Sequence, residues 1–501
     1  MKLVVDRTDD LADDSQCRKP FCHTTSLATT SLSTTSLCST SLATTARQLY
    51  HAVLMDPHSE AALQGSRQLL NRLLDDVDFE GDLPSHPQHL LAWTQQSATK
   101  VADQYRAYLA ARKGGQPRAY FSTRGHALYF LRRVAFTKLV DGAWLYGTVR
   151  HWQHSRYWPL IHTYLEELGC GEPAQNHVRL YKQLLLSEGC DGDLDDLDDA
   201  CYLQGAVQLA LGCQSDRFWP EVIGYNLGYE QLPLHLLITA YELKELGIDP
   251  YYFTLHVTVD NAANGHARRA VQAVLDNWPV DKGAEKDSGK STDYYRRVMR
   301  GYALNNAGVG SLAIIEAFDH YSEVVAIIKR KSPLAQLHSD YNQIRGRSVN
   351  EWLADPEQVP QFLAALTERG WIKPDRDPEA SPFWNLLQGP KACMAGVFSP
   401  YELTILYEWI AGSWLGDKAG STPRFQARAA DTGATVRPEN AWSRSRSFNR
   451  SFNRAVHECA DGWDDLDHWM AAMAPGRHDT PEGLSATRHF HHFFIASGNP
   501  V

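Results

Sequence analysis

The sequence predicts an all-α protein, and three observations carry that expectation. From about residue 47 onward, apolar residues recur at helical intervals over long stretches. Alternating, strand-like patterns are few. Helix stop and start signals stand at the ends of the periodic stretches, as at Gly114-Gly115 and Ser399-Pro400.

Residues 24–45 read "TTSLATTSLSTTSLCSTSLATT", whose leucines share no face at helical or strand spacing. Segment 1–46 is therefore expected to be a disordered, low-complexity arm. The stretch "HPQHLLAWTQQSATKVADQYRAYLAARKGG" places Leu90, Trp93, Val101 and Tyr105 at helix-like intervals. "RGHALYFLRRVAFTKLVDGAWLYG" is a second, very apolar helical stretch. Further helices are expected near 156–168, 173–188, 197–212, 216–246 and 250–278. The polar segment 281–292 reads as a linker, after which the helical period resumes. Beyond 335 shorter elements follow, and the Arg/Ser run "SRSRSFNRSFNR" reads as a solvated loop. The closing "RHFHHFF" reads as a tail that packs its phenylalanines on the body.

The chain of 501 residues is 43% hydrophobic and 22% charged, with a net charge of -10. That balance argues against a nucleic-acid partner, which calls for Lys and Arg against phosphates. Nine cysteines without a CxxC pair point to a reduced compartment, and the expected location is cytoplasmic. No window is apolar for long enough to span a membrane. "CDGDLDDLDD" lacks the glycine and glutamate of a calcium loop. No Gly-rich nucleotide motif is present.

The candidate chemistry sits in "HVTVDNAANGH". On a regular helix His256 and Asp260 are one turn apart on one face. His266 lies about -80° around the axis from His256 at ~100° per residue. The three meet one ion only if the helix breaks near Asn264-Gly265. "YLEELGCGEPAQNHVRLY" adds Glu166, Glu167, Glu172 and His177, with glycines and a proline between two helices. "FWPEVIGYNLGYEQLPLHLL" adds Glu221 and Glu230 on an apolar helix, where a buried unpaired carboxylate costs several kcal/mol. Carboxylates and imidazoles from several helices suit an iron or manganese pair. Lys138 and Asp141 in "KLVDGAW" read as a structural ion pair or cap, although Asp141 could face the cavity. Arg268 and Arg269 read as surface residues.

These segments, with "KLVDGAW", "EELGCG…NH", "YEQLP", "ELKELGIDPYYFTLHVTVDNAANGH" and "GVFSPYE", resemble the haem-oxygenase-like diiron oxidases and oxygenases over roughly 85–415. The resemblance implies a haem-oxygenase-like helical bundle with additional C-terminal helices. It divides the chain into the arm 1–46, a metal-binding core 47–335, a helical extension 336–415, and a polar loop and tail 416–501. It implies Glu167, His177, Glu230, His256, Asp260 and His266 as metal ligands, with Glu167, Glu230 and Asp260 as the catalytic carboxylates. Many relatives place the last histidine three residues after the aspartate, where this chain has Ala263, whereas other relatives show the spacing of His266. Glu166, Glu172 and Glu221 stand as alternative ligands.

The cofactor so implied is Fe(II), two per chain, with O2 as co-substrate. The implied reaction is N-oxygenation, desaturation or oxidative C–C cleavage of a small amine, amino acid or acid in specialised biosynthesis. The expected partner is a small-molecule substrate, with no nucleic acid, no membrane and a homodimer as the assembly. Two other readings share the scaffold: a metal-independent enzyme of the quinone-cofactor or thiamine-processing type, and a non-catalytic helical binding protein.

Overall fold

The structure, a computed structural model, describes residues 45–76, 82–259, 265–279, 288–337, 343–389, 392–416, 422–425 and 462–498. The arm 1–44, Asp260 and the Arg/Ser run lie outside them. Within them the fold is all-α, and extended pairing is confined to the antiparallel hairpin of Gln343–Ile344 with Arg347–Ser348.

The helical body opens with α1 (Ala46–Met55) and α2 (Glu60–Asp76). It starts at Ala46 because Thr45, the last threonine of the repeat, caps it. The Thr45 side chain accepts from the Gln48 amide, and the Gln48 side chain closes back on the Thr45 amide. Next come α3 (Leu90–Lys113), α4 (Arg124–Arg133) and α5 (Ala135–Lys138), and α3 stops at Gly114 as its glycine pair predicts. A buried 3₁₀ run over Ala143–His151 leads into α6 (Trp158–Glu167), α7 (His177–Ser187) and α8 (Leu203–Cys213).

Two long expected helices divide. The stretch 216–246 becomes α9 (Trp219–Tyr229) and α10 (Leu234–Glu245). Pro233 stands between them in extended conformation, because its ring biases the residue before it away from helix and it has no amide to donate. The stretch 250–278 becomes α11 (Tyr251–Val259) and α12 (His266–Asp276), with Gly265 extended as the α12 cap. Helix α13 (Ser288–Ala303) begins inside the expected linker. Then follow α14 (Ser311–Glu316), α15 (His320–Lys331), α16 (Val349–Leu353), α17 (Val359–Glu368), α18 (Pro382–Gln388) and α19 (Pro400–Ala411). Ser399 caps α19 in a capping box with Glu402, ahead of the N1 proline.

The C-terminal region contains more than a loop and tail. Its α20 (Gly462–Ala472) and α21 (Pro481–Ala496) bury Trp469, Phe490 and Phe494, and Met473 is buried in the connection between them. Phe490 and Phe494 are one helical turn apart, so both face inward. Burying each stabilises the fold by about 2–3 kcal/mol.

The apolar interior forms two clusters. One includes Trp144, Tyr164, Leu168, Tyr225 and Phe490. The other includes Tyr181, Tyr252, Phe253, Leu363 and Tyr401. No helix of the described residues is long and apolar enough to cross a membrane.

Candidate metal centre

Two groups of buried acid and imidazole side chains share one residue. Asp141, Glu167, His177 and His256 form the first, and Glu167, Glu230 and His266 the second. Within each group the donor atoms lie within 4.8 Å of one another. Glu167 Oε2 is 2.6 Å from His177 Nδ1, and Glu167 Oε1 is 3.4 Å from His266 Nδ1. A single carboxylate therefore turns one oxygen to each group.

Most of these residues stand at helix ends. Glu167 closes α6, His177 opens α7, Glu230 follows α9 as its cap and His266 opens α12. His256 alone comes from within a helix, α11. Asp141 lies in the turn after α5, ahead of Gly142, whose φ of 81° is left-handed. A Cβ on Gly142 would come 2.8 Å from Glu167 Cβ, so only glycine lets this turn pass the shared carboxylate.

Hydrogen bonds orient Asp141, His256 and His266. Both oxygens of Asp141 accept from phenols, Oδ1 from Tyr229 at 2.9 Å and Oδ2 from Tyr252 at 2.5 Å. Lys138 Nζ donates to the Tyr229 hydroxyl at 3.0 Å, which directs the Tyr229 proton to Asp141. Burial raises the Asp141 carboxyl, but Lys138, His256 and His177 outweigh it and hold the group well below the usual carboxylate range. Burial, with Asp141 beside them, drives both phenols well above theirs.

His256 Nδ1 donates to the Tyr252 carbonyl at 2.8 Å, which leaves Nε2 facing Asp141 Oδ2 at 3.3 Å. His266 Nδ1 faces Glu230 Oε2 at 3.0 Å, and its Nε2 meets Glu166 Oε2 at 2.7 Å. Arg269 holds Glu166 in turn. Burial raises the Glu166 carboxyl, but its bonds to His266 and Arg269 lower it further.

Five of the expected ligands, Glu167, His177, Glu230, His256 and His266, are thus brought together, and Asp260 lies outside the described residues. Among the alternatives, Glu166 stands behind His266. Glu172 is exposed beside Arg488, and Glu221 is bound at both oxygens by Arg297. Two sequence readings change. Asp141 belongs to the first donor group rather than to an ion pair with Lys138, because a tyrosine hydroxyl stands between the two. Arg269 is half-buried against Glu166, because α12 begins at His266 and turns that arginine inward. Asp141 carried one signal in the sequence, a carboxylate amid an apolar helix followed by glycine.

The donors fit a metal pair. Glu167 Oε2 and His177 Nδ1 are both buried and lie 2.6 Å apart, yet they do not share a hydrogen bond. Both belong to the group whose donor atoms lie within 4.8 Å of one another. Three carboxylates withdrawn from water need compensating charge, which bound metal would supply. Carboxylate oxygen and imidazole nitrogen suit iron. Two surface clefts, of about 250 and 370 Å³, are lined around Arg133 and Arg330 and around Arg217 and Arg300, and neither contains a donor residue.

Residues 128–304 match the model of a family described as iron-containing redox enzyme. The match covers Asp141, Glu167, His177, Glu230, His256 and His266. No curated protein and no solved structure compared with the chain matches it.

Proposed function

Residues 128–304 belong to the haem-oxygenase-like iron-containing redox enzymes, and on that premise we propose that this oxidoreductase is a non-haem diiron oxidase or oxygenase. Its substrate is a small amine, amino acid or acid, and its outcome is N-oxygenation, desaturation or oxidative C–C cleavage. The observation that carries this reading is Glu167, one carboxylate whose two oxygens face two separate donor groups.

Asp141, His177 and His256 would hold one iron, Glu230 and His266 the other, with Glu167 between them. Asp260 lies outside the described residues and stays a ligand that the resemblance implies. Two ferrous ions bound there would supply the electrons that reduce O2. The protein's part is orientation and exclusion of water. Tyr229 and Tyr252 fix the oxygens of Asp141, and Lys138, His256 and His177 keep it ionised. The Tyr252 carbonyl fixes the tautomer of His256, and Glu166 fixes that of His266. The buried Tyr252 ring, 4.8 Å from that of His256, helps keep water from the centre.

Reconstitution with ferrous iron under nitrogen tests the proposal. Close to two irons per chain are expected, with a transient visible absorption on admitting O2. The double variant His256→Ala/Asp260→Ala is expected to lose iron. Wild-type protein that retains none, or turnover of an amine without iron, would overturn it.

A further inference from the structure

We infer that α20 and α21, which lie outside the matched residues, hold the Glu167–His177 connector in shape, with His478 as a positioning residue. The inference rests on the reading that the donor groups bind metal.

Between Glu167 and His177 the chain reverses direction through three consecutive left-handed residues. Gly169 has φ 65°, Cys170 φ 49° and Gly171 φ 86°. Cys170 carries a Cβ, so the turn persists only where its surroundings hold it. Helix α21 lies directly on it. Arg488 donates to the Gly171 carbonyl at 2.8 Å, and a Cβ on Gly171 would come 2.6 Å from the Leu484 carbonyl oxygen. Tyr164, in α6, donates to the Met473 carbonyl at 2.7 Å, tying the helix that ends in Glu167 to the α20–α21 connection.

Asn176 is the link between connector and clamp. Its Oδ1 accepts from the Arg179 amide at 3.0 Å and so caps α7, whose first residue is His177. Its Nδ2 donates to the Leu168 carbonyl at 3.2 Å and to His478 Nδ1 at 3.0 Å. Leu168 follows one ligand and Asn176 precedes the other, so a single amide ties both backbones. His478 supplies its remaining acceptor. Both side chains are buried, and burial pushes the His478 imidazole down to about 4, which keeps it neutral and able to accept. Without that acceptor a buried Asn176 proton is left unsatisfied, and the amide that sets the His177 backbone is free to turn.

The test uses full-length protein dialysed against ferrous iron under nitrogen, with iron per chain read against free iron and the thermal midpoint of the iron-free form read in parallel. His478→Phe keeps the ring and removes the acceptor, and it is expected to weaken iron binding at least tenfold. His478→Asn places an oxygen where Nδ1 stood and is expected to recover most of that loss. Arg488→Met, made from the half-buried side, is expected to weaken binding in the same direction. Wild-type isotherms in both His478→Phe and Arg488→Met would overturn the inference. Wild-type protein that takes up no iron would instead overturn the metal reading beneath it.

Discussion

His266 and Glu166 meet Nε2 to Oε2 at 2.7 Å, on the side of the imidazole turned away from Glu230. Arg269 donates to the same carboxylate oxygen. The pair fixes which ring nitrogen keeps its proton and leaves Nδ1 as the donor toward the second metal position. Glu166→Gln is expected to weaken one ferrous ion by about 10- to 100-fold while the other is retained. Glu221→Gln serves as the control, because its partner is Arg297, and its iron isotherm is expected to match the wild type. Anaerobic titration reads both.

Asp141 is the carboxylate most heavily committed to the first position, with a phenol on each oxygen. Ferrous iron at a hundredfold excess over its Kd is expected to stabilise the wild type by about 2.7 kcal/mol for each site filled, read as a rise in Tm. In Asp141→Asn that rise is expected to shrink and iron per chain to fall toward one. Tyr252→Phe is expected to keep both irons at lower affinity.

Gly142→Ala combines strain and collision. At φ 81° an L-residue costs about 1–2 kcal/mol. The new methyl would also press on Glu167 Cβ and Cγ, 2.8 and 3.1 Å away. A Tm lowered by several degrees together with lost iron is the expected outcome. Unchanged iron binding would show that Glu167 can give way.

His126 predicts a pH dependence of stability away from the centre. Its Nδ1 accepts from the Ser122 amide at 3.3 Å, its Nε2 donates to the Ile315 carbonyl at 2.9 Å, and its ring stacks on Phe318. Burial lowers it from the ordinary 6.5 to about 4. As pH falls through that window the unfolded chain takes the proton first. The contribution is therefore intact above 6.5 and lost progressively toward 4, at up to about 1.4 kcal/mol per pH unit. His235 and His478 are lowered to about 4 in the same way, so His126→Phe is expected to reduce this slope without abolishing it. Denaturant melts at pH 7, 5.5 and 4.5 measure it.

Periodicity and punctuation in the sequence determined the class and several helix ends. Gly114 stops α3 and Ser399-Pro400 starts α19, because caps and stops act within one turn of chain. The composition of the candidate centre was legible for the same kind of reason: carboxylates and imidazoles in apolar surroundings are costly unless paired. Tertiary structure alone decided how those residues meet. Helical spacing says little about Glu167, His177, Glu230 and His266, because each stands where a helix ends and the next connection sets its direction. Asp141 enters through a left-handed glycine turn, Arg269 points inward because α12 begins where it does, and His478 reaches the connector from about 300 residues away in sequence (302 from Asn176). Local rules act over a turn of chain, whereas a buried charge is settled by whichever distant group folding brings beside it.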